Sequence, residues 1–565
     1  MISIIFVITF LLLNAIFIFT EKPKSFSDFV IENRSLGTFK LFCTFLATNL
    51  SAFTIFGVSG AAYRIGWAFL PVMAFGTGFM AFSFILIGIP LRNMSYKYNW
   101  ITPSDFISHR LKSHLIGKVV SILLLIYTLP YISIQIGSLG SLLSTVLNIP
   151  KWVCSLTITI IITGYVLKGG MKSIVKTDIL QLFILYLFAI VSLAVVLIIF
   201  KNNPNVKSIF SNLSEVHNRT GKNNSLPFIT LAGYYILWLT ADPVFPHLTQ
   251  RFYASKSNKV LIRSMILYPV ASLIIFFAMT FIGVIGSAAI SNLPSQKSDS
   301  IYTILLSNVS KNLSPVFSLA AIAAIMSTLD SQLLSCSSII SNDFMKKYSS
   351  FKLIKIIIIL IACISFLLST LPISSILSFL TNSAFIGYSS LFIVYIVAIY
   401  FPEFEKSSII ITIFTGFILI LLNNLKLIGF DIPFILVILF FEFVILLLTN
   451  LTIKFFRLKI DKIYFKNNAF FYQGYKDKES KYQLNKNKGY NDNEYCIKKY
   501  NNRYISLKNI LVISIIFVLG VDIFNSYIPV KLFFGLPLWL WYHIFITILL
   551  SVVFYLLFYK NKYRE

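Results

Sequence analysis

Six residues, Ala324, Ser327, Thr328, Ser331, Ser335 and Ser338, recur at helical spacing within the stretch 321–343. At about 100° per residue they fall in one narrow sector of a helix. The stretch is long enough to cross a bilayer, and hydrocarbon offers hydroxyls no partner, so the stripe is expected to face protein, water or an ion. Neighbouring Ser327 and Thr328 could give a hard cation such as Na⁺ two oxygen ligands.

The elements that must hold this stripe follow from composition. The chain has 565 residues, 57% hydrophobic and only 12% charged. The apolar residues gather in runs of about 18 or more, the length of a transmembrane helix, rather than in alternating strand patterns. This composition defines an all-α polytopic membrane protein. About fifteen spans are expected: 2–19, 39–62, 66–91, 117–146, 151–168, 175–200, 227–248, 260–288, 314–343, 353–371, 376–400, 407–423, 430–451, 509–527 and 537–558. Residues 2–19 lack a preceding basic residue and a small-x-small site, which reads as an uncleaved first helix with its N-terminus outside rather than a signal peptide.

The net charge of +27 does not point to nucleic acid, because no nucleic-acid fold motif is present. Loops 20–38, 92–116, 169–174, 249–259 and 344–352 carry Lys and Arg, Arg251 among them, and are the expected cytoplasmic loops. Loops 201–226 and 289–313 are richer in Asn and Ser and are expected outside. The five cysteines show no CxxC, so buried inert thiols are expected. The five histidines, 109, 114, 217, 247 and 543, show no paired metal-ligand spacing. No GxSxG or Gly-rich phosphate loop occurs, so no enzyme is expected.

Two spans carry breakers. Span 39–62 contains Thr48, Asn49, Ser51 and Thr54 before Gly57 and Gly60. Span 227–248 contains Trp238, Thr240 and Asp242 beside Pro243 and Pro246, which disturb the helix ladder. Freed backbone groups at membrane depth are tolerated where they line an enclosed cavity. Each interrupted helix opens a set of five spans, 39–200 and 227–400, which points to a transporter with inverted repeats. Residues 452–508 form a polar, Lys-, Asn- and Tyr-rich insert. It reads as a solvated linker, with contact to anionic lipid headgroups as its functional reading. Two further spans in 509–565 form an appendage to a core of residues 1–451.

On five ordered blocks the chain resembles the sodium:solute symporter family. These are GVSGAAYRIGW (57–67), TPSDFISHRL (102–111), GGMKSIVKTDILQ (169–181), PHLTQRFYASKS (246–257) and AAIMSTLDSQLLSCSSIISNDF (323–344). The last is most similar to the sodium/proline symporter branch. The segment FFGLPLWLWYH (533–543) is similar to small membrane proteins that accompany some of these symporters. The resemblance implies the leucine-transporter fold, five plus five inverted helices with alternating access, in about thirteen core helices plus two C-terminal ones. It implies a Na⁺ site of Ser327 and Thr328 hydroxyls with the carbonyls of Ala324, Ala47 and Leu50, and a place for Asp178 on the ion exit route. Neutral oxygens suit a weakly held monovalent ion.

Substrate contacts are expected from Asn49, Ser51, Tyr131, Gln135, Trp238 and Asp242. Asn49 stands where the proline branch has a carboxylate, and neither Asp242 nor Asp330 belongs to that branch's pattern. For Asp330, off the hydroxyl face, a structural partner is expected. The function expected is Na⁺-driven uptake of a small organic solute, an amino acid such as proline being the leading choice. The alternatives are a symporter for pantothenate or a short carboxylate, or a transporter-derived sensor signalling through the C-terminal region. The location expected is a bacterial inner membrane with the C-terminus inside.

Overall fold

The computed structural model describes residues 8–10, 12–14, 23–310, 314–345, 351–371, 376, 380–467, 504–522 and 529–560. The expected first span, 2–19, and most of the insert 452–508 lie outside the described residues.

The helices that build the bundle are α1 (Thr38–Asn49) and α2 (Val58–Ile65), α3 (Phe69–Tyr98), α4 (His114–Leu147), α5 (Lys151–Phe200), α6 (Phe228–Ala241), α7 (Pro246–Ala254) and α8 (Asn258–Ala289). They continue with α9 (Ser314–Phe344), α10 (Phe351–Ser369), α11 (Ile386–Tyr400), α12 (Lys406–Asn424), α13 (Phe434–Asn467), α14 (Leu507–Val521) and α15 (Leu538–Phe554). Among the described residues the only strands are the two-residue pair Leu532–Phe533 and Leu536–Pro537, a small exception to an all-α chain.

Local chemistry sets several boundaries. Ser113 and Ser257 cap α4 and α8, their hydroxyls accepting from Ile116 N and Val260 N. Thr102 and Asp105 form a reciprocal capping box on the short helix Pro103–Arg110. The two spans expected at 151–168 and 175–200 are the two parts of α5, which meet at a kink at Gly170, where φ is +60°. A Cβ there would collide with the Phe29 carbonyl, so glycine suits both the backbone turn and the close approach.

Two helix pairs bend sharply at short breaks: α1 against Phe53–Ile65 by 60°, and Phe228–Val244 against Pro246–Ala254 by 62°. They open the first and second sets of five spans, as an inverted repeat requires. The apolar window of α9 is 94% buried against 28% for α5, which makes α9 the enclosed central span. Phe183 and Ile198 on α5, Phe414 on α12 and Phe440 on α13 are exposed, facing where acyl chains would solvate them.

The loops sort to two ends. At one, Leu36 N bonds Ala254 O at 3.1 Å, Arg92 Nη2 bonds Lys256 O at 2.6 Å, and Thr102 Oγ1 bonds Asp343 Oδ1 at 2.6 Å. At the other, Trp67 N bonds Val216 O at 3.0 Å and Tyr63 OH bonds Ile290 O at 2.8 Å. Helix α15 packs on α8 and α3, and α14 reaches α6 and α3. A buried tie between them is Asp522, which meets Arg219 and lies 3.2 Å from His543 Nε2.

Candidate functional site

The break after α1 decides which backbone groups need partners. Leu50 leaves helical geometry at φ −84°, ψ 107°, so the last carbonyls of α1 lose their next-turn donors. Side chains meet the freed amides: Ala52 N donates to Gln135 Oε1 at 3.0 Å, Ser51 N to Thr54 Oγ1 at 3.1 Å, and Phe53 N to Ser51 Oγ at 3.2 Å. The freed carbonyls are met by α9. Ser327 Oγ donates to Ala47 O at 2.9 Å and to Ala324 O at 3.0 Å. Thr328 Oγ1 reaches Thr48 O at 3.1 Å and Leu50 O and Ala324 O at 3.2 Å each.

The five residues expected around the ion therefore come together, all buried. Their two hydroxyls touch the three expected carbonyls and Thr48 O, with no charged group in the set. Rotation of the two O–H bonds would turn their lone pairs towards a cation among these oxygens. The residues thus fit a weakly bound alkali ion, whereas among the described residues no three His, Cys, Asp or Glu side chains cluster as a harder metal would need.

The hydroxyl stripe divides in two along α9. Ser335 and Ser338 satisfy themselves on their own helix, at Gln332 O and Leu334 O. Ser327, Thr328 and Ser331 reach across to α1, the last through Thr48 Oγ1 at 3.2 Å.

A charged layer adjoins this neutral set. Arg251 Nη2 lies 3.3 Å from Asp178 Oδ2 and donates to Ser331 Oγ at 2.5 Å. Asp178 also accepts from Thr44 Oγ1 and, at 3.4 Å, from Thr48 Oγ1. Asp330 takes a hydrogen bond from Tyr165 OH at 3.2 Å, the structural partner expected for it, and another from Ser331 Oγ at 3.2 Å. Arg251 overturns one reading of the sequence. Counted there as a loop cation, it is fully buried, because α7 turns inward after the break and carries it to Asp178. Its position five residues after Pro246, beside Leu248 and Phe252, was the available signal.

The expected solute residues surround the two breaks. Asn49 Nδ2 donates to Asp242 Oδ2 at 3.0 Å and to Tyr268 OH at 2.6 Å. Tyr131 OH donates to Ser51 Oγ at 3.0 Å. The Trp238 indole N–H is committed to Val72 O at 3.0 Å, which leaves its ring face for contact. That ring lies 5.8 Å from Phe53 and 5.5 Å from Phe385, and Phe385 lies 5.5 Å from Tyr131. Gln135 spends its oxygen on Ala52, and its buried amide nitrogen has no partner. Tyr268 and Phe385 join the site without having been expected, since neither lies near a break in the sequence.

Two broken helices crossing beside a hydroxyl-bearing central helix define a transporter of the leucine-transporter fold. Comparison with solved structures agrees. A substrate-bound, outward-open Na⁺-coupled sialic acid symporter matches with a TM-score of 0.62 at 16% identity, covering 80% of this chain and 96% of that one. The sodium:solute symporter family model matches residues 29–416, and the chain belongs to that family, whose coupling ion is Na⁺. It is 27% identical over 348 residues to a sodium/pantothenate symporter of Haemophilus influenzae, covering 60% of this chain and 71% of the relative. To sodium/proline symporter 2 of Staphylococcus saprophyticus it is 26% identical over 354 residues, covering 61% and 68%.

Proposed function

We propose that this protein takes up a small organic solute by coupling it to inward Na⁺ flow through alternating access. The observation that carries the reading is the set of oxygens from Ala47, Leu50, Ala324, Ser327 and Thr328, drawn from a broken helix and the central helix that crosses it. In this reading Na⁺ ties α1 to α9, so its departure loosens the contact between them. Inward movement of one Na⁺ releases about 2.3 kcal/mol per 100 mV of membrane potential, with a concentration term added. Asp178, next along the Thr48–Ser331 connection, attracts the ion on its way out, while Arg251 keeps that carboxylate from trapping it.

The solute lies against Asn49, Ser51, Tyr131, Gln135, Trp238 and Asp242. Asp242 favours an amino acid such as proline: a carboxylate beside the pocket attracts an ammonium group, while pantothenate brings only a carboxylate of its own. Pantothenate is the second reading, motivated by the Haemophilus relative. Loops 20–38 and 249–259, which meet at one end, face the cytoplasm of a bacterial inner membrane, with the N-terminus outside and the C-terminus inside. The insert 452–508, whose first residues continue α13 to Asn467, joins the 1–451 core to the two-helix appendage 509–565 on the cytoplasmic side.

The experiment is uptake into proteoliposomes from a panel of labelled solutes, with and without an inward Na⁺ gradient. Gradient-dependent accumulation of one solute is expected, with proline ahead of pantothenate. Equal uptake under both conditions for every solute would refute the coupling.

A further inference from the structure

Glu442 lies about two turns into α13, beyond the residues the family model matches. No Lys or Arg occurs between Lys426 and Lys454. The side chain is fully buried. Oε1 accepts from the Ser390 hydroxyl of α11, and Oε2 is buried with no partner. The seat is built for a carboxyl group: α12 passes with Gly416 against it, where any Cβ would overlap Oε1.

The surroundings offer no counter-charge among the described residues. Helices α6, α11 and α12 pack on α13 and bring no charged group to Glu442, and Ser390 is its polar partner. The titratable group facing it is Tyr127 of α4, a neutral phenol whose oxygen is likewise unpartnered. A lone carboxylate in hydrocarbon is costly unless neutralised. A proton is the counter-ion that fits a seat of this size.

The seat is wired to the transport centre. Adjacent hydroxyls on α11 go to different elements: Ser390 to Glu442, and Ser389 to Thr240 Oγ1 at 2.9 Å. Thr240 lies in the last turn of α6, two residues before Asp242. One peptide therefore separates the contact made by the broken helix from the contact made by the carboxyl group.

We propose that Glu442 is a proton-binding site, loaded while α11 packs against α6 and α13, and emptied to water when α6 draws α11 away. Protonation then favours the packed conformation, and alkaline pH favours its opening. That uptake follows this proton rests on the transport reading above; the proton site itself does not.

The test has two arms. In the first, infrared spectra of the purified full chain are titrated with pH for wild type and Glu442→Gln. A protonated-carboxyl band that titrates in wild type and is missing from the variant is expected. Spectra identical in that region would overturn the proton site. In the second, Na⁺-driven uptake is measured across the same pH range. Wild-type uptake is expected to fall at least threefold as the carboxyl group ionises, while Glu442→Gln, which cannot titrate, loses this pH dependence whatever its absolute rate. Matching profiles would overturn the link to transport and leave the infrared result standing. Should Glu442→Gln fail to fold, Ser390→Ala serves instead. Loss of the donor should move the band's titration to higher pH, and an unmoved titration would refute the assignment.

Discussion

The two broken helices bend by nearly the same angle, 60° and 62°, yet resolve their breaks by opposite means. The first leaves carbonyls that another helix must satisfy, and α9 sends Ser327 and Thr328 to do so. The second satisfies itself. Pro246 has no amide hydrogen to place, Phe245 N bonds Asp242 O at 3.1 Å, and Thr249 Oγ1 bonds Pro243 O at 2.9 Å. The repeats thus share a backbone plan and differ in chemistry. The first break presents neutral oxygens fit for a cation. The second presents a carboxylate and aromatic faces fit for an organic solute.

The comparison breaks hardest at Arg251, which ties the second broken helix to Asp178 and Ser331. Arg251→Ala leaves Asp178 buried without its partner and should cost about 3–5 kcal/mol. A large drop in thermal unfolding temperature in detergent should report it, and Asp178→Asn in the same chain should restore part of the loss. Next comes the cation side. Ser327→Ala with Thr328→Ala removes both hydroxyls of the proposed ion site, each contact contributing about 0.5–1.5 kcal/mol net. The Na⁺ concentration for half-maximal uptake should rise about tenfold, with the solute requirement at saturating Na⁺ little changed. An unchanged Na⁺ dependence would place the ion elsewhere.

On the solute side, Trp238→Ala should weaken solute binding several-fold, about 1–2 kcal/mol of lost ring contact, and Na⁺ binding less, as measured by equilibrium binding of labelled solute. Asp242→Asn sharpens the choice of solute, weakening a zwitterion and sparing or improving an anion in competition assays. The smallest effect belongs to Thr249→Ala. It removes one hydroxyl that closes the second break and should cost about 1 kcal/mol of stability with no change in Na⁺ dependence.

Several of these elements were legible in the residues themselves. A helix bearing hydroxyls every three or four positions inside a membrane-length stretch has to bury them, and Ser327, Thr328 and Ser331 are buried against α1. The Pro-rich and Thr-Asn-Ser interruptions marked both breaks because local backbone chemistry causes them. Asp178 and Arg251 were both visible as charges. Their pairing was not, since it joins α5 to α7 across 73 positions and depends on the turn that α7 takes. Glu442 stood alone in an apolar run, with nothing nearby to say that Ser390 and Gly416 receive it.

Composition and spacing alone determined a polytopic helical chain, two interrupted helices at matching places, and a hydroxyl-bearing face. Each is a property of consecutive residues: hydropathy over a span, an absent amide hydrogen, a helical period. Only the tertiary structure decided that Ser335 and Ser338 satisfy themselves while Ser327 and Thr328 reach the freed carbonyls of α1, that Arg251 is buried rather than solvated, and that Asn49 and Asp242 meet. Those outcomes depend on which helices cross and at what angle, and packing of distant segments fixes that.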